Sequence, residues 1–101
     1  MSNESVILVN LLKAKPGQQD ALLGLLKKNT ETVIRTLHGW KKTRLIAAND
    51  GTGVAIYSEW ESPADVEAMR NDPRMQAYFP KILEHATLDS IMGSTVFTEN
   101  P

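Results

Sequence analysis

The stretch VAIYSEWESPADVEAMRNDPRM, residues 54–75, decides the fold because it joins a strand directly to a helix. Val54 to Glu61 carries the apolar, β-branched and aromatic residues that are typical of a strand. Ser62 is a good helix N-cap and Pro63 suits the first helical position, so a helix is predicted to begin at once. Asn71-Asp72-Pro73 then interrupts this helix, and the stretch as a whole predicts part of an α+β domain.

A strand and a long helix are predicted before this stretch. Residues 5–14 (SVILVNLLKA) are β-branched and leucine-rich and predict strand β1. Pro16 suits the first turn of a helix, and the apolar residues that follow it recur at helical spacings. These residues are Leu22, Leu26, Val33 and Leu37. The helix is predicted to end at His38-Gly39, with Gly39 in the left-handed conformation.

The remaining segments contain two more strands and a further helix. Residues 40–48 predict a strand, and the turn residues 49–53 (NDGTG) join it as a hairpin to the strand that starts at Val54. Residues 74–84 have the pattern of a further helical segment, and residues 87–98 return to the pattern of a strand. The predicted order of elements is therefore βαββαβ.

This order is that of a ferredoxin-like α+β fold, whose antiparallel sheet carries helices on one face only. The chain of 101 residues fits one domain, residues 1–101. Both faces of β1 are apolar: Val6, Leu8, Asn10 and Leu12 point one way, and Ile7, Val9 and Leu11 point the other. The helices cover one face, so a second subunit is the most economical cover for the other, and we predict a homodimer.

Composition and motifs exclude several classes of function. The net charge of −1 gives no electrostatic reason to expect nucleic acid or an anionic membrane as a partner. The sequence has no cysteine, which removes disulfides, thiolate metal sites and thiol nucleophiles. It has no G-x-G-x-x-G, Walker or H-E-x-x-H pattern either, so no nucleotide, flavin, nicotinamide or metal cofactor is expected. The N-terminus, MSNESVILVN, lacks the pattern of a signal peptide, and the cytoplasm is the expected compartment.

Five short motifs follow one another along the chain, and the fourth contains a W-x-S signature. They are Val9-Asn10-Leu11, Lys15-Pro16-Gly17, His38-Gly39-Trp40, Tyr57-Ser58-Glu59-Trp60-Glu61-Ser62 and Asp72-Pro73. In this order the chain resembles the antibiotic biosynthesis monooxygenase domain family of the dimeric α+β-barrel superfamily. The resemblance implies a dimeric α+β barrel and a range of activities. Some relatives oxidise phenolic or anthrone-type polyketides with dioxygen and no cofactor, whereas others degrade haem or act on small metabolites.

Among the relatives that this chain resembles, these activities differ in the residues at a few single positions. Haem-degrading relatives use an Asn on β1, matched here by Asn10, but this chain has Met69 in place of their Trp and Phe79 in place of their His ligand. The resemblance therefore argues against haem degradation. Polyketide-oxidising relatives place an Asn four residues before the W-x-S tryptophan, where this chain has Ile56. Asn10 and Trp60 match positions that are implicated in that branch.

The pattern of residues itself singles out Asn10, Trp60 and Arg44. Asn10 lies among apolar residues of β1, so its amide bonds either a substrate or neighbouring side chains and water. Trp60, at a strand end, is either a core residue or a pocket wall and hydrogen-bond donor. Arg44 is in phase with Trp40 and Ile46, and a basic group that faced the pocket would stabilise an enolate or phenolate.

We predict cofactor-independent monooxygenation of a small phenolic, quinol or anthrone-like compound by dioxygen, in one apolar pocket per subunit between the sheet and the second helix of the βαββαβ order, which begins at Ser62-Pro63. A substrate that forms a stabilised carbanion can itself reduce dioxygen, so the protein needs only to exclude water and to hold and orient the anion. The predicted catalytic residues are Asn10 and Trp60, and the predicted substrate-binding residues are Ile56, Met69, Phe79 and Arg44.

Two alternatives stay open at this point. A non-catalytic small-molecule-binding or stress-response dimer would keep the same pocket without turnover. A metabolite isomerase of the same fold would need an acid–base group inside the pocket, and the sequence places His38 and His85 near helix ends, where capping explains them.

Overall fold

The computed structural model describes residues 5–101 and contains the strands and helices in the predicted order. The elements are β1 (Val6–Ala14), α1 (Gln19–Thr32), a 3₁₀ segment (Ile34–Thr36), β2 (Trp40–Ala47), β3 (Gly53–Trp60), α2 (Pro63–Asn71), α3 (Pro73–Leu83) and β4 (Ala86–Gly93). The strands form one open antiparallel sheet in the order β2-β3-β1-β4. The predicted ferredoxin-like fold is confirmed. Residues 1–4, which belong to the N-terminus where no signal peptide was predicted, lie outside the described range.

The starts of α2 and α3 follow from local capping chemistry. The Ser62 hydroxyl accepts a hydrogen bond from the backbone N–H of Asp65 over 3.3 Å, and Pro63 is the first helical residue. In α3 the Asp72 carboxylate accepts from the backbone N–H of Arg74 over 2.8 Å, and Pro73 follows the cap. Each cap satisfies an amide that has no partner within its helix. The predicted interruption at Asn71-Asp72-Pro73 is confirmed as the boundary between two helices.

The first helix is shorter than predicted at both ends. Gly17 has a φ of 74°, so Pro16 and Gly17 form a turn and the helix begins only at Gln19. It ends at Thr32, within the sequence Thr-Glu-Thr-Val-Ile at residues 30–34. Four of these five residues are β-branched, which lowers their helix propensity, and the chain continues as a 3₁₀ segment. Gly39 does adopt the predicted left-handed conformation, with a φ of 83°.

The last strand ends earlier than predicted. It spans Ala86–Gly93, and the predicted extension to residue 98 is wrong. Gly93 pairs with Ile7, and β1 begins one residue earlier, at Val6. A longer β4 would therefore find no partner strand. Beyond Gly93 the chain has no regular secondary structure.

The helices cover one face of the sheet, and the other face is open. Buried residues such as Leu8, Leu12 and Trp60 point toward the helices. On the opposite face Leu11 and Ile91 are 59% and 70% exposed. The prediction that β1 carries apolar residues on both faces is confirmed. Within residues 5–101, none of the helices combines the length and the apolar character needed to cross a membrane.

Candidate active site

A cavity of about 340 Å³ lies between the helix-facing side of the sheet and the helices. It touches α1 as well as α2 and α3, so it extends over one more helix than predicted. The sheet contributes Leu8, Asn10, Leu12, Thr43, Ile56, Ser58, Trp60, Leu88 and Ser90 to its wall. The helical side contributes Leu26, Asn29, Thr30, Ile34, Met69, Arg70, Met75, Phe79, Ile82 and Leu83. The wall is mainly apolar and contains a few polar side chains.

Asn10 lies on the sheet wall of this cavity, between Ile56 of β3 and Ser90 of β4. Residues that pair directly across antiparallel strands point to the same face. The pairing of Asn10 with Ser90 therefore places two neighbouring polar side chains on an otherwise apolar wall. Asn10 is half-buried, so its amide is accessible from the cavity.

Trp60 is both a core residue and a wall of the cavity. Its side chain is 1% exposed, and it lines the space next to Ser58 and Leu8. The indole Nε1–H donates to Ser58 Oγ over 3.1 Å, and Ser58 Oγ donates to the Leu8 carbonyl oxygen over 3.3 Å. The predicted hydrogen-bond donor is therefore satisfied within the chain. Trp60 presents mainly apolar ring surface to a ligand.

Three of the four predicted substrate-binding residues line the cavity. Ile56 is on β3, Met69 on α2 and Phe79 on α3. Their side chains are apolar, and Met69 and Phe79 belong to the layer that closes the cavity opposite the sheet. They would hold a ligand through shape and burial rather than through hydrogen bonds.

Arg44 does not line the cavity. Trp40 pairs with Trp60 and Lys42 with Glu59, so Lys41 is an extra residue on β2. This bulge moves Thr43 onto the cavity side and Arg44 onto the open face, where Arg44 pairs with Tyr57. The expectation that Arg44 shares a face with Trp40 is therefore wrong, because the alternation of side chains is reset between them.

Thr43 occupies the position on β2 that was expected for a basic group. It pairs with Ser58 across the sheet and lines the cavity. Its Oγ1 accepts a hydrogen bond from the indole Nε1–H of Trp40 over 2.8 Å. Both tryptophans thus donate to hydroxyl groups that lie on the cavity wall.

Asn29 of α1 lines the cavity and was not predicted from the sequence. It is 3% exposed, and its Oδ1 finds no hydrogen-bond partner anywhere in residues 5–101. It follows Leu22 and Leu26 on the buried side of the helix, where an apolar residue is expected. An amide within an apolar stripe is a signal that the sequence does contain.

Arg70 of α2 was also missed, and it is the charged residue of the cavity wall. Its side chain is 39% exposed, and Nη1 lies 3.7 Å from Glu67 Oε1, so the guanidinium is not tightly paired. The wall therefore combines an apolar interior with a cation at a partly open position. Such a group stabilises negative charge that develops on a bound ligand.

The two histidines lie outside the cavity wall. His38 Nδ1 is 2.8 Å from Asp65 Oδ1, and His85 Nδ1 is 2.7 Å from Gln18 Oε1. The hydrogen bond and charge of Asp65 raise the pKa of His38, and the hydrogen bond from His38 lowers the pKa of Asp65. His38 thus pairs with a carboxylate in the first turn of α2, and neither residue lines the cavity. No group of three or more His, Cys, Asp or Glu side chains in residues 5–101 is placed to hold a metal ion.

Comparison with known proteins gives the family of this chain. The sequence model of the antibiotic biosynthesis monooxygenase family matches residues 5–81. The chain belongs to this family. The match includes every predicted site residue, together with Asn29 and Arg70. It ends before β4, so the family match does not reach Leu88 and Ser90 of the cavity wall.

One protein of known name is similar to this chain in sequence. The chain is 38% identical over 72 residues to the tetracenomycin-F1 monooxygenase of Streptomyces glaucescens, and the alignment covers 71% of this chain and 64% of that protein. The chain thus spans less than two-thirds of that relative.

Solved structures share the fold. The ActVA-Orf6 monooxygenase of Streptomyces coelicolor, solved in complex with Nanaomycin D, superposes with a TM-score of 0.85 at 20% identity, over 96% of this chain and 92% of that one. SnoaB, a cofactor-independent oxygenase from Streptomyces nogalater, superposes with a TM-score of 0.85 at 12% identity, over 94% of this chain and 96% of that one.

Proposed function

We propose that this chain is a cofactor-independent monooxygenase that oxidises a small phenolic, quinol or anthrone-like compound with dioxygen in the cavity described above. The cavity itself carries the proposal, since it is a largely apolar space with Asn10 on the sheet side and Arg70 on the helical side. The name of the relative from Streptomyces glaucescens supports monooxygenation, and the description of SnoaB supports chemistry without a cofactor.

The reaction needs no redox group on the protein. An anthrone-like CH₂ group loses one proton to give an enolate, and the carbanion carbon passes one electron to dioxygen. The resulting radical and superoxide combine to form a C–O bond, and protonation gives a hydroperoxide. Loss of the remaining C–H proton then breaks the O–O bond and gives a carbonyl group and water. One dioxygen is consumed for each CH₂ group that becomes a carbonyl.

The residues of the cavity have distinct roles in this proposal. Arg70 stabilises the negative charge of the enolate oxygen and so favours the anion that reacts with dioxygen. The Asn10 amide bonds an oxygen of the substrate and fixes its position against the sheet. Trp60 and Phe79 supply apolar surface that excludes water from the anion. The proton goes to solvent at the partly open side, because no His, Asp or Glu belongs to the described wall.

The proposal also includes a homodimer. The open sheet face carries the exposed residues Leu11, Ile46 and Ile91, which together form an apolar surface without a cover. Large contiguous apolar patches on protein surfaces mark interfaces. A homodimer that packs sheet against sheet would bury this face and give the dimeric α+β barrel.

Oxygen uptake with an anthrone tests the proposed activity. We expect the protein, in buffer with a chelator, to speed the oxidation of dithranol above its spontaneous rate, with one dioxygen consumed per quinone formed. With ¹⁸O₂ the new carbonyl group should carry the label. Product formation without oxygen uptake would favour an isomerase, and binding without turnover would favour a non-catalytic dimer. Either result would contradict the proposal.

A further inference from the structure

The buried amide of Asn29 reaches the cavity from α1, opposite the sheet. Its side chain is 97% removed from solvent, since Asn29 is 3% exposed, and its Oδ1 has no hydrogen-bond partner within residues 5–101. A buried acceptor without a partner costs free energy, and such groups in folded proteins are usually satisfied. The unpaired oxygen therefore requires a hydrogen-bond donor from outside the described residues.

Neighbouring polar groups on the wall do not supply that donor. The Thr30 hydroxyl donates to the Leu26 carbonyl oxygen over 2.9 Å, one helical turn back. The Ser58 hydroxyl donates to the Leu8 carbonyl oxygen over 3.3 Å. Each hydroxyl has one proton to donate, so both donors are already used. The Oδ1 of Asn29 is thus a buried acceptor of the wall that neither hydroxyl satisfies and that a ligand can use.

We propose that Asn29 is a specificity-determining residue, which accepts a hydrogen bond from a neutral hydroxyl group of the aromatic substrate at the α1 end of the cavity. The class of substrate in this statement rests on the proposed function. A carbonyl-type oxygen carries partial negative charge, so it binds a protonated hydroxyl and disfavours an ionised one. The hydroxyl at Asn29 is therefore different from the oxygen that becomes anionic during the reaction.

This separation defines the substrate more closely. One oxygen ionises and is stabilised on the side of Arg70, and a second oxygen stays protonated and bonds Asn29. The substrate would then carry at least two oxygen functions on one aromatic frame. A site built to bind a hydroxyl discriminates strongly against an analogue without one, because the buried acceptor is left unpaired in that complex.

Binding of a stable quinone tests this inference without any turnover. The probes are 2,6-dihydroxyanthraquinone, 2,6-dimethoxyanthraquinone and anthraquinone, measured by quenching of tryptophan fluorescence in buffer acidic enough to keep the phenols protonated. We expect the wild type to bind the dihydroxy compound about tenfold more tightly than either analogue. In Asn29→Leu this preference should disappear, while anthraquinone should bind at least as tightly as before.

Thr30→Val is the matched control, because it removes a hydroxyl from the next residue of the same wall, and it should keep the preference for the dihydroxy probe. If Asn29→Leu does not fold, as judged by circular dichroism, Asn29→Ala takes its place and should lose the preference alike. A wild type that binds the three probes equally would overturn the inference. So would a preference that survives the change at Asn29. Since a quinone has no CH₂ group to oxidise, these results are independent of whether dithranol is turned over.

Discussion

Trp60 donates its indole N–H to Ser58 Oγ over 3.1 Å, and the two residues lie two positions apart on the helix-facing side of β3. Ser58 Oγ in turn donates a hydrogen bond to the Leu8 carbonyl oxygen of the neighbouring strand, β1. The hydrogen bond thus fixes a large aromatic wall of the cavity to the two central strands of the sheet.

A double-mutant cycle on Trp60 and Ser58 should show this coupling. Trp60→Phe keeps most of the aromatic volume and should lower the free energy of unfolding by about 1–2 kcal/mol. Ser58→Ala leaves the buried indole N–H unpaired and should cost roughly 1–3 kcal/mol. The double variant should lose less than the sum of the single losses, because Phe has no N–H to leave unpaired. Urea unfolding measures all four proteins, and simple additivity would contradict the coupling.

The Trp60→Phe variant also distinguishes a packing role of Trp60 from a catalytic role. In Trp60→Phe, we expect the turnover of dithranol per folded molecule to fall about tenfold, since the shape of the wall changes next to the substrate. Unchanged activity per folded molecule, together with lower stability, would assign Trp60 to the core alone.

Asn10→Ala should lower activity before it lowers stability. Asn10 is half-buried at the cavity wall, so the loss of its amide removes a substrate contact but little of the packed core. We expect kcat/KM to fall about tenfold and the melting temperature to change by only a few degrees. Asn71→Ala serves as a control, because Asn71 is an exposed amide of α2 that bonds the Glu67 carbonyl oxygen. Equal effects of the two changes on activity would show that Asn10 has no role in the site.

Arg70→Gln should raise the pH at which turnover reaches half its maximum. The guanidinium favours the substrate anion, so its removal raises the pKa of the bound substrate, and the reactive form then appears only at higher pH. We expect a shift of about one pH unit, which corresponds to a tenfold change in the ionisation equilibrium. Arg74→Gln removes the same charge from an exposed position that pairs with Asp72. A shift of equal size in Arg74→Gln would point to general charge effects.

The His38–Asp65 pair predicts a pH-dependent contribution to stability. The pKa of His38 is raised by Asp65, so its contribution is present below the ordinary histidine pKa and is lost as the pH rises through the raised value. The pKa of Asp65 is lowered, so its contribution is lost as the pH falls through that lower value. His38 is largely exposed, and the effect should be small. His38→Gln should flatten the decline of the melting temperature as the pH rises from the ordinary histidine pKa through the raised one, and an unchanged profile would rule out the pair as the source of that decline.

The open sheet face predicts the oligomeric state. Sedimentation should show a dimer at micromolar concentration, and Ile91→Lys should shift it to the monomer because a lysine would be buried in the interface. Ala77→Lys makes the same kind of change on an exposed position of α3 and should leave the dimer intact. A wild type that stays monomeric at this concentration would disprove the sheet-to-sheet arrangement.

The sequence predicted best what depends on a few neighbouring residues. The starts of α2 and α3 follow from Ser62-Pro63 and Asp72-Pro73, which act within one helical turn. The placement of Asn10 on the cavity side follows from alternation along β1, because that strand has no irregularity in its pairing.

What could not be predicted depends on partners far along the chain. Lys41 becomes an extra residue only through the pairing of β2 with β3, and nothing in the neighbouring sequence indicates that Arg44 must turn away from the cavity. The end of β4 depends on where β1 begins. Asn29 is a different case, since the apolar stripe of α1 already marks its position as buried, but its role depends on the cavity that α1 faces.

The strand order β2-β3-β1-β4 has a consequence for the way the chain folds. The two central strands are joined by contacts such as that between Ser58 and Leu8, which are 50 residues apart in sequence. β1 finds its second neighbour only when β4 is complete at Gly93. During synthesis, one edge of β1 therefore stays unpaired until Gly93 has been added. Over that time β1 carries apolar side chains on both faces. Nascent chains that stall before β4 should aggregate. Folding should be slow for a protein of this size, because the pairings of β1 with β3 and β4 join residues that are far apart in sequence.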